Sequence, residues 1–330
     1  MSLAVFITPG KDLATAIGRV QLAERLGYEA VFSSQVGGRD ILLTLAAYAA
    51  ATKRVKLGSG VVPAFPRHPV ALAIEAATLD EVSGGRLILG IGPSHQVTME
   101  IWYGIEMRKP LKRMQEYVAI LRSIFTTDGA SFEGEFYKTQ FAFLGYGARK
   151  DLPIYISALA PGMLRFCGEA CDGDILWCCL PTYIRDTVTP TIRAGAQSAG
   201  RDPSAVAIIA AIPTALTTNR EAARNGARSE FFVYMNLPFY RRAIAGAGYE
   251  GDLKAFDEAQ AAGDFAGSLA AMSDRMIDEF AAIGDERQIA DKFAEYRDAG
   301  VTLPAAGLFQ AGDGFAGVEA TLEAVARVAG

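Results

Sequence analysis

The chain has 330 residues, 51% of them hydrophobic and 21% charged, with a formal net charge of −5 from 32 basic and 37 acidic residues. That is a globular composition with ample core, and the lack of a basic tract argues against nucleic acid or an anionic membrane surface as a partner. The leading apolar run, Leu3 to Ile7, is too short for a secretory signal and no other run approaches a membrane span, so a soluble cytoplasmic protein is expected.

In chain order, "LAVFI" (3–7) comes first, followed by a helical period in which Leu13, Ile17, Val20 and Leu26 share one face. A glycine, Gly27, and a short β-rich run, "EAVF", follow that helix. The same helix–glycine–strand junction recurs at Gly84, Gly173, Gly200 and Gly300. A glycine just past a helix end takes the left-handed conformation without a Cβ clash. The later runs "VKLGSGVV", "LILGI", "PIYIS", "DILWCC", "VAIIAAI" and "AAGLF" are nearly continuous in apolar residues, as parallel strands covered on both faces should be. Eight strands alternating with helices predict an α/β fold, a (β/α)8 TIM barrel, with a doubly wound sheet as the alternative. No linker or low-complexity tract interrupts residues 1–330, so one domain is expected. Two stretches exceed a minimal barrel: Asp128–Asp151, with hairpin chemistry, and a helix-rich segment at about 214–285. Both are long enough to act as lids. The four cysteines, Cys167, Cys171, Cys178 and Cys179, have no histidine among them and no CxxC spacing, and read as buried free thiols rather than metal ligands.

In a barrel, function gathers at the C-terminal strand ends. The fourth strand ends in "LILGIGPSHQ", where Gly92, Pro93 and Ser94 would let a ligand approach the backbone and hold anionic oxygens while His95 points into the mouth. Gly90-x-Gly92 lacks the third glycine of a dinucleotide fingerprint, and Gly90 and Gly92 could equally relieve crowding inside the barrel. The fifth strand ends in small residues, Ser157, Ala158, Leu159 and Ala160, before Pro161 and Gly162. Pro161 suits the first position of a helix, whose free amides make an anion site without a basic side chain. At the third strand end, Gly60 before Val61 suits a strained turn where a flat molecule approaches the backbone. At the second, Ser34 and Gln35 could donate hydrogen bonds to a polar ring edge. His68, between Arg67 and Pro69, reads as a structural cap.

The block "VKLGSGVVPAFPRHPVALAIEAATLDEVSGGRLILGIGPSH" (55–95), together with "PIYISALAPGMLRFCGEACDGDILW" (153–177), resembles the luciferase-like monooxygenase superfamily, and within it the oxidoreductases that use coenzyme F420. The resemblance implies a barrel with insertions, usually a homodimer, that acts on a small-molecule substrate. It implies a deazaflavin ring in the mouth against the third strand, with a non-proline cis peptide at Gly60–Val61. The phosphate-bearing tail would pass Pro93 and Ser94 toward the Leu159–Gly162 turn. His95 falls where some relatives carry a proton donor. At the second strand Ser34-Gln35 replaces the Asp-His pair of the sugar-phosphate branch, which speaks against that substrate. The expected function is therefore hydride transfer between F420 and a small organic substrate. The alternatives are an FMN-dependent monooxygenase, a non-catalytic flavin- or F420-binding protein and, last, an aldolase-like barrel, for which no central lysine is visible.

Overall fold

The computed structural model describes residues 2–330. Strands β1 (Ala4–Phe6), β2 (Ala30–Ser33), β3 (Lys56–Ser59), β4 (Leu87–Gly92), β5 (Ile154–Ile156), β6 (Gly173–Trp177), β7 (Ala207–Leu216) and β8 (Leu303–Leu308) pair in chain order, all parallel. The circle closes where Ala305 of β8 lies opposite Ala4 of β1. This is the (β/α)8 barrel the apolar runs predict. Between the barrel and its helices lies one continuous apolar layer that includes Val5, Val20, Leu57, Leu72, Leu89 and Ile120, which is why the strands do not alternate.

The barrel interior explains the glycines of β3 and its extension. Phe6 and Phe32 stack inside at 5.3 Å between ring centroids. A Cβ on Gly58 would overlap the Phe32 ring, and one on Gly60 would come within 2.6 Å of Phe6. The side of Gly60 that a Cβ would occupy is thus filled by the protein's own Phe6. The run "VKLGSGVV" is not one strand: it breaks at Gly60–Val61, a cis peptide as expected, and resumes as Val62–Pro63 against β4. The Ser59 hydroxyl then ties β3 to β4, donating to the Gly90 carbonyl and accepting from the Gly90 amide, both at 2.8 Å.

Of the five helix-ending glycines predicted, Gly27, Gly84, Gly200 and Gly300 have positive φ. Gly173 does not. The helix Pro161–Ala170 ends at an extended Cys171, and Gly173 already begins β6, where a Cβ would lie 2.9 Å from both the Ala207 carbonyl and the Tyr155 ring. It is needed for close strand packing, not for a left-handed turn. His68 caps the helix Pro69–Ser83, its Nδ1 accepting from the Val70 amide at 3.3 Å.

The first extra segment forms an antiparallel hairpin, Gly129–Glu133 with Lys138–Phe143, anchored where the buried Glu116 carboxylate accepts the amides of Glu135, Phe136 and Tyr137. The second follows β7, which runs to Leu216, past the predicted start of the insertion. It holds five α-helices, Arg220–Phe231, Pro238–Gly246, Glu250–Ala261, Phe265–Ala270 and Asp274–Phe280, with a 3-10 turn at Tyr234–Asn236, before the short strand Ala282–Gly284. Phe231, Met235, Phe256 and Phe280 give it an apolar core of its own. Among the described residues, no helix is long and apolar enough to cross a membrane.

Candidate active site

A cavity of about 1070 Å3 opens at the C-terminal ends of the strands. The strand directions dictate its position: every parallel strand delivers its following loop to the same end. From β2 it receives Ser34 and Gln35, from the β3 break Gly60 and Val61, from β4 Pro93, Ser94 and His95, and from β5 Ser157, Ala158, Leu159 and Ala160. Thus the structure brings together four separate stretches that the sequence marked as candidates.

Three candidates stand elsewhere. Gly92, Pro161 and Gly162 are not on the cavity wall. A Cβ on Gly92 would overlap the Ser157 hydroxyl and come within 2.8 Å of Val61, so this glycine lets two wall-forming residues close over the strand end rather than admitting a ligand to the backbone. Pro161 and Gly162 open the helix Pro161–Ala170 and are exposed. No side chain caps that helix, so its first amides keep their partial positive charge unneutralised.

The polar groups on the wall are partly committed. The Ser34 hydroxyl shares a 2.9 Å hydrogen bond with Thr8. Gln35 Oε1 accepts the Ile41 amide at 3.3 Å, which leaves its side-chain NH2 as the free donor. Ser94 takes a left-handed φ of 63°, the turn that aims the following residue across the mouth. His95 is half-buried and stands edge-on to Tyr234, with ring centroids 6.2 Å apart. Burial lowers the pKa of its imidazole below the ordinary value. Of the charged groups on the wall, Arg19 is paired with Glu319 at 2.7 Å, while Glu100 and Glu230 are exposed.

Several wall residues escaped the sequence reading. Phe6 ends β1 and Thr8 follows it, Trp177 ends β6, and Phe309 and Gln310 follow β8. The strand-end rule applied to those three runs would have found them. Tyr234 and Tyr240 come from the helical insertion and form an aromatic wall with Trp177: Tyr234 lies 6.3 Å from Trp177 and 4.8 Å from Tyr240, centroid to centroid. No local pattern announces these two. The hairpin contributes nothing to the wall, so only the second of the two expected lids reaches the mouth.

Comparisons with known proteins agree with this architecture. The family model described as luciferase-like monooxygenase matches residues 1–303. A 5,10-methylenetetrahydromethanopterin reductase of Archaeoglobus fulgidus is 32% identical over 293 residues, 87% of each chain. Among solved structures, the coenzyme F420-dependent tetrahydromethanopterin reductase of Methanopyrus kandleri superposes with a TM-score of 0.85 at 24% identity, covering 99% of this chain and 97% of that one. An F420-dependent secondary alcohol dehydrogenase, solved with an F420–acetone adduct, gives 0.79 at 17% identity with the same coverage.

Proposed function

The chain belongs to the luciferase-like monooxygenase family, and from that membership we propose that it moves a hydride between coenzyme F420 and a small organic substrate at the mouth of its barrel. One observation carries the reading: a single cavity gathers His95, the Gly60–Val61 wall and a turn leading into an uncapped helix start. The cavity is large enough for a multi-ring cofactor with a substrate beside it. The two solved structures named above, both of F420-dependent enzymes, support the cofactor by likeness of fold.

Bound there, the deazaflavin would supply or accept the hydride. Orientation, proton handling and exclusion of water fall to this chain's own residues. Gly60 and Val61 would back the ring, with the Ser34 hydroxyl and the free amide of Gln35 as donors at its polar edge. Ser94, Ser157 and the amides after Ala160 would hold the phosphate, with Pro93, Ala158 and Leu159 shaping its path. Gly92, Pro161 and Gly162 act one layer back, by permitting that packing and starting the helix. Trp177, Tyr234 and Tyr240 would keep water from the reacting atoms. His95 would take or give the proton. A cytoplasmic homodimer of single-domain chains belongs to the same reading.

FMN is the second candidate, and the charge on the wall bears on the choice. FMN ends in a phosphate dianion, which a free cation would clamp, whereas F420 carries a phosphodiester with a tail running on toward solvent. The basic side chain on this wall, Arg19, is already bound to Glu319, and Arg165 is exposed on its helix and away from the cavity. Titration of the protein with each cofactor tests the choice. F420 fluorescence should change to saturation, and reduced F420 should be consumed with substrate in the absence of oxygen. Tight FMN binding with oxygen-dependent product formation and no response to F420 would overturn the proposal.

A further inference from the structure

The turn that would hold the cofactor phosphate is itself held from behind. Three consecutive residues have one backbone group each engaged by the body of the protein. The Ser157 amide donates to the Ile91 carbonyl of β4 at 3.1 Å. The Ala158 amide donates to Oδ1 of Asp174 at 2.8 Å. The Leu159 carbonyl accepts the Tyr183 hydroxyl at 2.9 Å. Of these three supports only that of Ala158 is a carboxyl group, and it lies in an unusual place. Asp174, second residue of β6, has no exposed surface, and its other oxygen, Oδ2, is buried without a hydrogen-bond partner. Its neighbour Ile175 faces the barrel and the cavity, so strand alternation puts Asp174 on the opposite face, away from substrate. A buried carboxyl that touches neither substrate nor a cation, and leaves an oxygen unsatisfied, calls for an explanation.

We infer that Asp174 is a positioning residue for the cofactor-binding turn. Resting on the F420 reading above, the inference assigns it the task of fixing the peptide between Ser157 and Ala158 so that the cavity-lining backbone on either side is preset before the cofactor arrives. Ala158 is itself almost fully buried, and without Asp174 its amide would be orphaned in an apolar layer. The peptide would then rotate to find a partner, and the turn would have to be ordered again on binding, which weakens affinity. Burial pushes the Asp174 carboxyl well above its ordinary value, against the pull of the Ala158 and Ile175 amides. A neutral carbonyl oxygen can also accept the Ala158 amide, so the task needs an acceptor at that place rather than a charge.

That requirement separates positioning from charge. Asp174→Asn keeps the acceptor oxygen and the shape, and should bind F420 within about threefold of the unaltered protein. Asp174→Leu fills the space without an acceptor. It should weaken F420 binding about tenfold, the equivalent of one lost hydrogen bond, and leave kcat at saturating cofactor nearly unchanged. Hydrogen exchange gives an independent reading: the Ala158 amide should be strongly protected in the cofactor-free protein and in Asp174→Asn, and lose that protection in Asp174→Leu. Equal F420 affinity in the Leu and Asn variants would overturn the inference. So would rapid exchange at Ala158 in the unaltered protein, a result that needs no variant to fold. If the unaltered protein binds neither F420 nor FMN, the cofactor reading falls and the positioning role with it. Protection at Ala158 would then show only that the turn is held.

Discussion

At the scale of single residues, His95 carries the sharpest expectation. Burial holds its imidazole below the ordinary value of about 6.5, so at neutral pH the ring is uncharged. A sequence alone suggests a donor poised near pH 7; the buried ring is instead poised as an acceptor there. The sign follows directly. If His95 gives a proton when substrate is reduced, kcat/KM for reduction is complete below the folded-state pKa and falls as pH rises through it. In the oxidation direction the neutral ring is the competent form, so the rate rises through the same value. Opposed pH profiles for the two directions, with a shared midpoint below about 6.5, are the expected result. His95→Ala should lower turnover about a hundredfold, remove that midpoint and leave F420 affinity nearly unchanged. Profiles that survive the substitution would remove His95 from the proton path.

At the scale of elements, the two ends of β4 do different work. The C-terminal end delivers His95, whereas the N-terminal end is fastened by an ion pair whose carboxylate is buried. Asp80, near the end of the helix Pro69–Ser83, accepts both Nε and Nη2 of Arg149 at 2.9 Å and the Leu87 amide at 3.2 Å. Arg149 returns to the Leu87 carbonyl at 2.8 Å. Asp80→Ala therefore strands a half-buried guanidinium, a loss of about 3 kcal/mol, at the barrel end remote from the cavity. Its urea midpoint should drop markedly while F420 affinity and kcat stay as they were; unchanged stability would show that the pair is solvated. How much could be read in advance also sorts by element. The eight strands were legible because each is a short apolar run closed by a turn residue. A strained turn at Gly60–Val61 was legible from the glycine itself, but its cis peptide was legible only by resemblance to a family. Tyr234 and Tyr240 were not legible, because they meet His95 and Trp177 across the fold, and an aromatic on a helix looks the same whether it faces a core or a cavity. At Gly92 ligand approach and relief of crowding stood side by side for a related reason: sequence shows that a position must be small, not which neighbour requires it.

At the scale of the whole molecule, the four cysteines report on integrity. Cys167, Cys171, Cys178 and Cys179 are all buried free thiols, and burial raises every one above the ordinary thiol range. A thiolate is the reactive form, so an aromatic disulfide reagent should find no fast-reacting group in the native protein and four in denaturant. A thiol that reacts quickly without unfolding would contradict this packing. The division of the core has a different kind of consequence. The helical insertion packs Phe231, Met235, Phe256 and Phe280 into a cluster separate from the layer around the barrel, yet it sends Tyr234 and Tyr240 to the mouth. Phe231 of this second cluster stacks on Tyr234, so a substitution that repacks it reaches the wall over His95 directly. The architecture thus lets descent with modification act on two parts at different rates: a lineage can inherit the walls built by the barrel strands unchanged while the aromatic face laid over them drifts.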